Sequence, residues 1–146
     1  MDTTATDLTL EVRRTLPAPP ERVFAAWTQA EALTRWFAPT ADMTTVVHQL
    51  DVRVGGCYRI EMRAPNGAQH VARGTYTVLD APRRLAFTWA WEGKDEEQTL
   101  VEIALAPVGA ASTELVLTHT RFLTPASRDN HFQGWDCCLA RLVPTL

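Results

Sequence analysis

The residue best placed to do chemistry in this chain is His119. It alternates with Leu115 and Leu117, and in a strand that spacing turns all three side chains to one face. An imidazole on an apolar wall can anchor a polar group or move a proton near neutral pH. Tyr58 and Tyr76 are candidate acid/base partners for it. The plainer reading is a core histidine hydrogen-bonded to a neighbour, as buried polar groups are.

Other chemistries find less support. A nucleophilic triad needs a Ser or Cys, a His and an acid brought together, and no G-x-S-x-G elbow is present. His48, His70, His119 and His131 are far apart, and Cys137–Cys138 lacks the C-x₂-C spacing of zinc sites, so no metal is expected. Gly55–Gly56 reads as a strand bend rather than a phosphate or dinucleotide loop, and no cofactor is expected. The three cysteines read as free thiols, because Cys137 and Cys138 diverge on a helix.

Aromatic residues give the stronger signal. Trp36, Trp89, Trp91 and Trp135 could line one cavity, together with Tyr58, Met62, Tyr76 and Phe122. Singly, each is explained by packing. As a set, with His119 as a polar member, they fit an apolar ligand pocket carrying a few polar groups.

Those residues need elements to position them. Leu8–Arg13 alternates as a half-buried strand, and Pro17, Pro19 and Pro20 end it. Val23, Phe24, Trp27, Ala30, Leu33, Trp36 and Phe37 recur at helical spacing, predicting helices over about 19–28 and 30–37. Strands follow near 42–52, through Tyr58, Ile60 and Met62, and over 69–80. Pro65–Asn66–Gly67 predicts a hairpin with a type I′ turn. Arg59, Glu61 and Arg63 read as a solvated outer face.

Leu85, Phe87, Trp89 and Trp91 share one strand face, and Glu92–Glu97 forms a charged hairpin tip. Strands through Val101–Leu105 and Leu115–Thr120 complete the run. Thr124 then caps a helix, Pro125 suits its first turn, and Phe132, Trp135, Leu139 and Leu142 make its apolar stripe. One strand, two short helices, six strands and a long helix predict an α+β fold with an antiparallel sheet.

Length and charge narrow the class. The 146 residues fit a single domain over 1–146. The net charge is −3, Lys94 is the only lysine and the arginines are scattered, which disfavours nucleic acid and anionic membrane surfaces as partners. No apolar run approaches the roughly 20 residues of a membrane span. Met1–Asp7 is polar and acidic, unlike a signal peptide, so a cytoplasmic location is expected.

Several segments together resemble a known family. They are Pro19–Thr28 (PPERVFAAWT), Leu33–Phe37 (LTRWF), Val54–Arg59 (VGGCYR), Leu117–Phe122 (LTHTRF), and His131–Trp135 (HFQGW) before Leu139 and Leu142. In order and spacing the chain resembles the domain related to the activator of Hsp90 ATPase. That family belongs to the START-like, helix-grip superfamily that includes the Bet v 1-type allergens. The resemblance implies a curved seven-stranded antiparallel sheet, two short helices and a long C-terminal helix enclosing a cavity. It also implies a pocket for lipids, polyketides or other hydrophobic molecules, and relatives that self-associate as homodimers. The chain lacks the additional N-terminal domain of the eukaryotic Hsp90 activators, which weighs against a chaperone-activating role.

The leading expectation is binding of an apolar small molecule. The alternatives are a cofactor-independent cyclase, dehydratase or hydrolase using His119, and a chaperone or stress partner.

Overall fold

The computed structural model describes residues 8–146, so the reading of Met1–Asp7 lies outside the described residues. β1 (Leu10–Leu16) leads to α1 (Pro20–Thr28) and α2 (Ala30–Trp36). Then come β2 (Thr44–Leu50), β3 (Cys57–Arg63), β4 (Gln69–Asp80), β5 (Arg84–Trp91), β6 (Thr99–Val108) and β7 (Ser112–Thr120). α3 (Pro125–Leu142) follows, with a short 3₁₀ turn at Val143–Thr145.

The seven strands form one antiparallel sheet in the order β1-β7-β6-β5-β4-β3-β2. Every neighbour is sequential except β1, which returns to pair with β7 from Leu10 opposite His119 to Leu16 opposite Thr113. Register shifts between Val47 and Gln49 and between Tyr76 and Val78 mark bulges, which bend strands and add curvature. The expected helix-grip architecture is the one observed.

Alternation decides which face packs. Leu85, Phe87 and Trp89 of β5, Val101, Ile103 and Leu105 of β6, and Leu115, Leu117 and His119 of β7 are all buried. Trp135, Cys138, Leu139 and Leu142 of α3 are buried in the same core. Each fully buried leucine contributes about 2 kcal/mol of apolar transfer. The Thr124 hydroxyl accepts from the Ser127 amide at 3.1 Å and so caps α3, with Pro125 in its first turn. Arg141, in its last turn, donates to the Ala38 carbonyl at 2.9 Å and ties α3 to the end of α2.

Three local expectations need correction. The hairpin at Pro65–Gly67 is not type I′. Gly67 has φ +92°, but Asn66 does not take a positive φ. Pro65, whose ring locks φ negative, occupies the first corner of an Ala64–Gly67 turn closed by a 2.9 Å bond. Gly67 then supplies the left-handed residue of a bulged three-residue loop. Phe132 is 42% exposed and lies outside the buried stripe, which Cys138 joins instead. Glu61 is not solvated: only 3% of it is exposed. His48, the extra residue of the β2 bulge, contacts its carboxylate at 2.7 Å, and Arg63 donates to it at 2.9 Å. Arg63 and then His48 hold that carboxyl down at about 2. Those side chains cover the carboxylate, and burial opposes their pull only in part.

One glycine is required by close approach. A Cβ on Gly74 would lie 1.9 Å from the Thr88 carbonyl oxygen and 2.8 Å from the Tyr58 hydroxyl. The Tyr58 hydroxyl itself donates to that carbonyl at 2.5 Å. Gly74→Ala must therefore part β4 from β5 or expel the phenol. The expected loss is about 3 kcal/mol, read from the urea unfolding midpoint.

Candidate functional site

A cavity of about 570 Å³ lies between the β3–β5 half of the sheet and α3. That volume falls within the range of small-molecule sites, roughly 300–1,000 Å³. Its buried walls are Phe37 after α2, Met62 of β3, Trp89 of β5, and Trp135 and Cys138 of α3. Its rim is polar: His70 on β4, Lys94 and Glu97 in the loop after β5, and Thr124, Ser127 and Asn130 at the start of α3. Trp91 and His131 stand between wall and rim.

Two tryptophan–histidine pairs organise this region. Trp135 donates its indole N–H to His119 Nδ1 at 3.0 Å. Indole is a donor only, so Nδ1 must accept and the proton must sit on Nε2. Nε2 then donates to the Thr99 hydroxyl at 2.7 Å, which donates on to the Trp89 carbonyl at 2.8 Å. The second pair repeats the logic with the nitrogens exchanged. Trp91 donates to His131 Nε2 at 2.9 Å, and His131 Nδ1–H donates to the Ser127 carbonyl at 2.7 Å. Phe122 packs on both imidazoles, with ring centres 4.3 Å from His119 and 4.9 Å from His131.

Both imidazoles are thereby held neutral. Burial, and then the neighbouring His131, push His119 well below the ordinary histidine value. Burial likewise lowers His131, against the opposing pull of the Ser127 carbonyl and Glu97. A protonated ring would turn an N–H toward an indole N–H in either pair. His119 is fully buried and both its nitrogens are taken, which leaves no atom free to meet a substrate.

The other reactive groups are quiet. Burial pushes the Cys138 thiol up to about 12, the wrong direction for a nucleophile. Burial also raises Tyr76 to about 12, and burial, then Tyr76 beside it, raises Tyr58 well above the ordinary tyrosine value. Among the described residues, no three His, Cys, Asp or Glu side chains are grouped to hold a metal ion. No described helix is long and apolar enough to cross a membrane.

Of the residues singled out from the sequence, Met62, Trp89, Trp91 and Trp135 line the cavity. Trp36 is fully buried away from it, donating to the Ala26 carbonyl at 3.1 Å and packing edge-on against Trp27. Tyr58 and Tyr76 line a separate space of about 20 Å³. His119 and Phe122 lie outside the cavity lining. The lining residues not foreseen include Phe37, His70, Lys94, Glu97, His131 and Gly134. Two were open to inference: His131 is one helical turn before Trp135, and hairpin pairing sets His70 opposite Met62.

Glu97 closes the rim on one side. One carboxylate oxygen accepts from the Leu123 amide at 2.8 Å and the other from the Ser127 hydroxyl at 2.7 Å. The loop after β5 is thus clasped to the N-terminus of α3, where a negative charge is favoured by the helix dipole.

A curved antiparallel sheet gripping a long C-terminal helix over a mostly apolar cavity defines a helix-grip protein of the START-like kind. The chain belongs to the activator of Hsp90 ATPase homolog 1-like family, whose model matches residues 17–146. A solved protein from Chromobacterium violaceum is 29% identical, with a TM-score of 0.84 over 94% of this chain and 96% of its own. One from Rhodobacter sphaeroides is 26% identical, with a TM-score of 0.80 over 95% and 92%. An Hsp90 activator from Plasmodium falciparum shares the fold at 24% identity, with a TM-score of 0.63 over 79% and 74%. No curated protein matches the chain.

The two histidine pairs predict a pH dependence. An unfolded histidine titrates near 6.5, and the folded pKa of both lies lower. Between those values the unfolded chain binds more protons, so stability rises with pH. Stability should be level above neutrality and fall below about pH 6.5, with a slope of up to about 1.4 kcal/mol per pH unit for each histidine. Urea unfolding across pH 5 to 8 measures it, and His131→Gln, which keeps an acceptor for Trp91, should lose one site's share of the slope.

Proposed function

We propose that this chain acts as one START-like domain, in the cytoplasm, that binds an apolar small molecule in the cavity between its sheet and α3. One observation carries the reading. Gly134 lines the cavity from the interior of α3, takes no positive φ, and a Cβ placed on it meets nothing within 4 Å. Alanine would fit there and favour the helix by about 1 kcal/mol. A glycine in that place gives up helix stability and keeps cavity volume. The apolar walls, polar rim and size fit the same reading.

The binding reading is favoured over catalysis by the histidine pairs. The acid/base role considered for His119 requires a free nitrogen, and Trp135 and Thr99 occupy both. A chaperone-partner role draws on the family's name and on the fold shared with the Plasmodium falciparum activator, and no side-chain feature of the cavity adds to it.

The test uses an apolar fluorescent probe, 1-anilinonaphthalene-8-sulfonate, with native mass spectrometry of freshly purified protein. Trp89, Trp91 and Trp135 line the cavity, so bound probe should quench tryptophan emission. Gly134→Ala should stabilise the fold by about 1 kcal/mol, whereas Gly134→Phe should fill the cavity and weaken probe binding at least about tenfold. Undiminished probe uptake by Gly134→Phe would place binding elsewhere and overturn the proposal.

A further inference from the structure

The outer cavity does not reach the end of the space between sheet and helices. Beyond it lies the compartment of about 20 Å³, walled by Trp27 and Leu33 from the helices and by Tyr58, Ile60, Tyr76 and Phe87 from the sheet. Phe37 is the single residue that lines both. We infer that Phe37 is the specificity residue for ligand length: its ring partitions one tunnel into an outer and an inner compartment. The ligand class is an elongated, unbranched hydrocarbon chain whose tip reaches that ring. The inference rests on the binding reading above and extends it.

Three features support the partition. First, the backbone of Phe37 is pinned by bonds that do not involve its ring. Its amide donates to the Leu33 carbonyl at 3.0 Å, and its carbonyl accepts from the Thr45 hydroxyl at 2.9 Å. Shortening the side chain therefore removes the ring and leaves these two bonds in place. Second, the ring packs against three tryptophans, with centres 5.4 Å from Trp36, 6.0 Å from Trp89 and 5.8 Å from Trp135. Trp89 and Trp135 line the outer cavity with it, so an arriving chain meets the ring together with its supports. Third, the inner compartment is small, about 20 Å³, and walled by aromatic and aliphatic side chains. The Tyr58 hydroxyl is already engaged with the Thr88 carbonyl. Such a space accepts the slender end of an alkyl chain and excludes a fused ring system.

The experiment displaces 1-anilinonaphthalene-8-sulfonate with a homologous series of straight-chain fatty acids, from medium to long. Each methylene that still finds an apolar wall should tighten binding by about fourfold. In the native protein this gain should break off at the chain length whose tip meets Phe37. In Phe37→Ala the gain should continue through that length and break at a longer chain. Phe37→Leu, a milder truncation, should shift the break by less and guards against poor folding of the alanine variant. A native break that stays in place in both folded variants overturns the partition while leaving the binding reading intact. A native protein that takes up neither the dye nor any acid overturns the binding reading, and the partition falls with it.

Discussion

The hydrogen bond from Trp135 to His119 joins the middle of α3 to the edge region of the sheet, and much of the architecture depends on it. A donor-only indole dictates the histidine tautomer. The tautomer in turn directs the opposite nitrogen to Thr99, and Thr99 to the Trp89 carbonyl. Four residues from α3, β7, β6 and β5 are thereby linked by three uncharged hydrogen bonds. Each such bond is worth only about 1 kcal/mol net, but leaving any member unpaired in this dry interior costs more. The helix is therefore fixed in both position and rotation, and that rotation sets which of its side chains face the cavity.

The cavity and the core are built from one aromatic layer. Trp27, Phe37, Trp89 and Trp135 pack at ring separations of 5.2–6.0 Å. The indole N–H groups of Trp27 and Trp89 are buried without a hydrogen-bond acceptor, and both rings belong to this layer. At the cavity rim Glu97 is instead bonded to the start of α3, and Trp91 to His131.

The order and type of the seven strands and three α-helices were legible from periodicity, because both have clear periods: two for the strands and 3.6 for the helices. The turn at Pro65 was misread, since Asn-Gly chemistry was weighed without the locked φ of the preceding proline. The site was legible only in part, for a geometric reason. Tyr58 and Met62 share a face of β3, yet four residues of strand set them about 13 Å apart. Alternation reports the face of a residue and is silent on its position along the groove. Met62 thus reaches the cavity, and Tyr58 ends behind Phe37. Lys94 and Glu97 sit in a loop without period, so pattern alone had no hold on them.

The return of β1 to β7 has a consequence for how the protein is made. A ribosome delivers the chain from its N-terminus, so β1 leaves the exit tunnel well before β7, its sheet partner, with five strands made in between. Every other strand can pair with a neighbour that has just emerged. β1 cannot, and α3, which buries the sheet's apolar face, emerges later still. Closure of the fold therefore waits until both β7 and α3 have left the ribosome. Until then the apolar side chains of β1 and of the growing sheet stay open to chaperones and to other nascent chains.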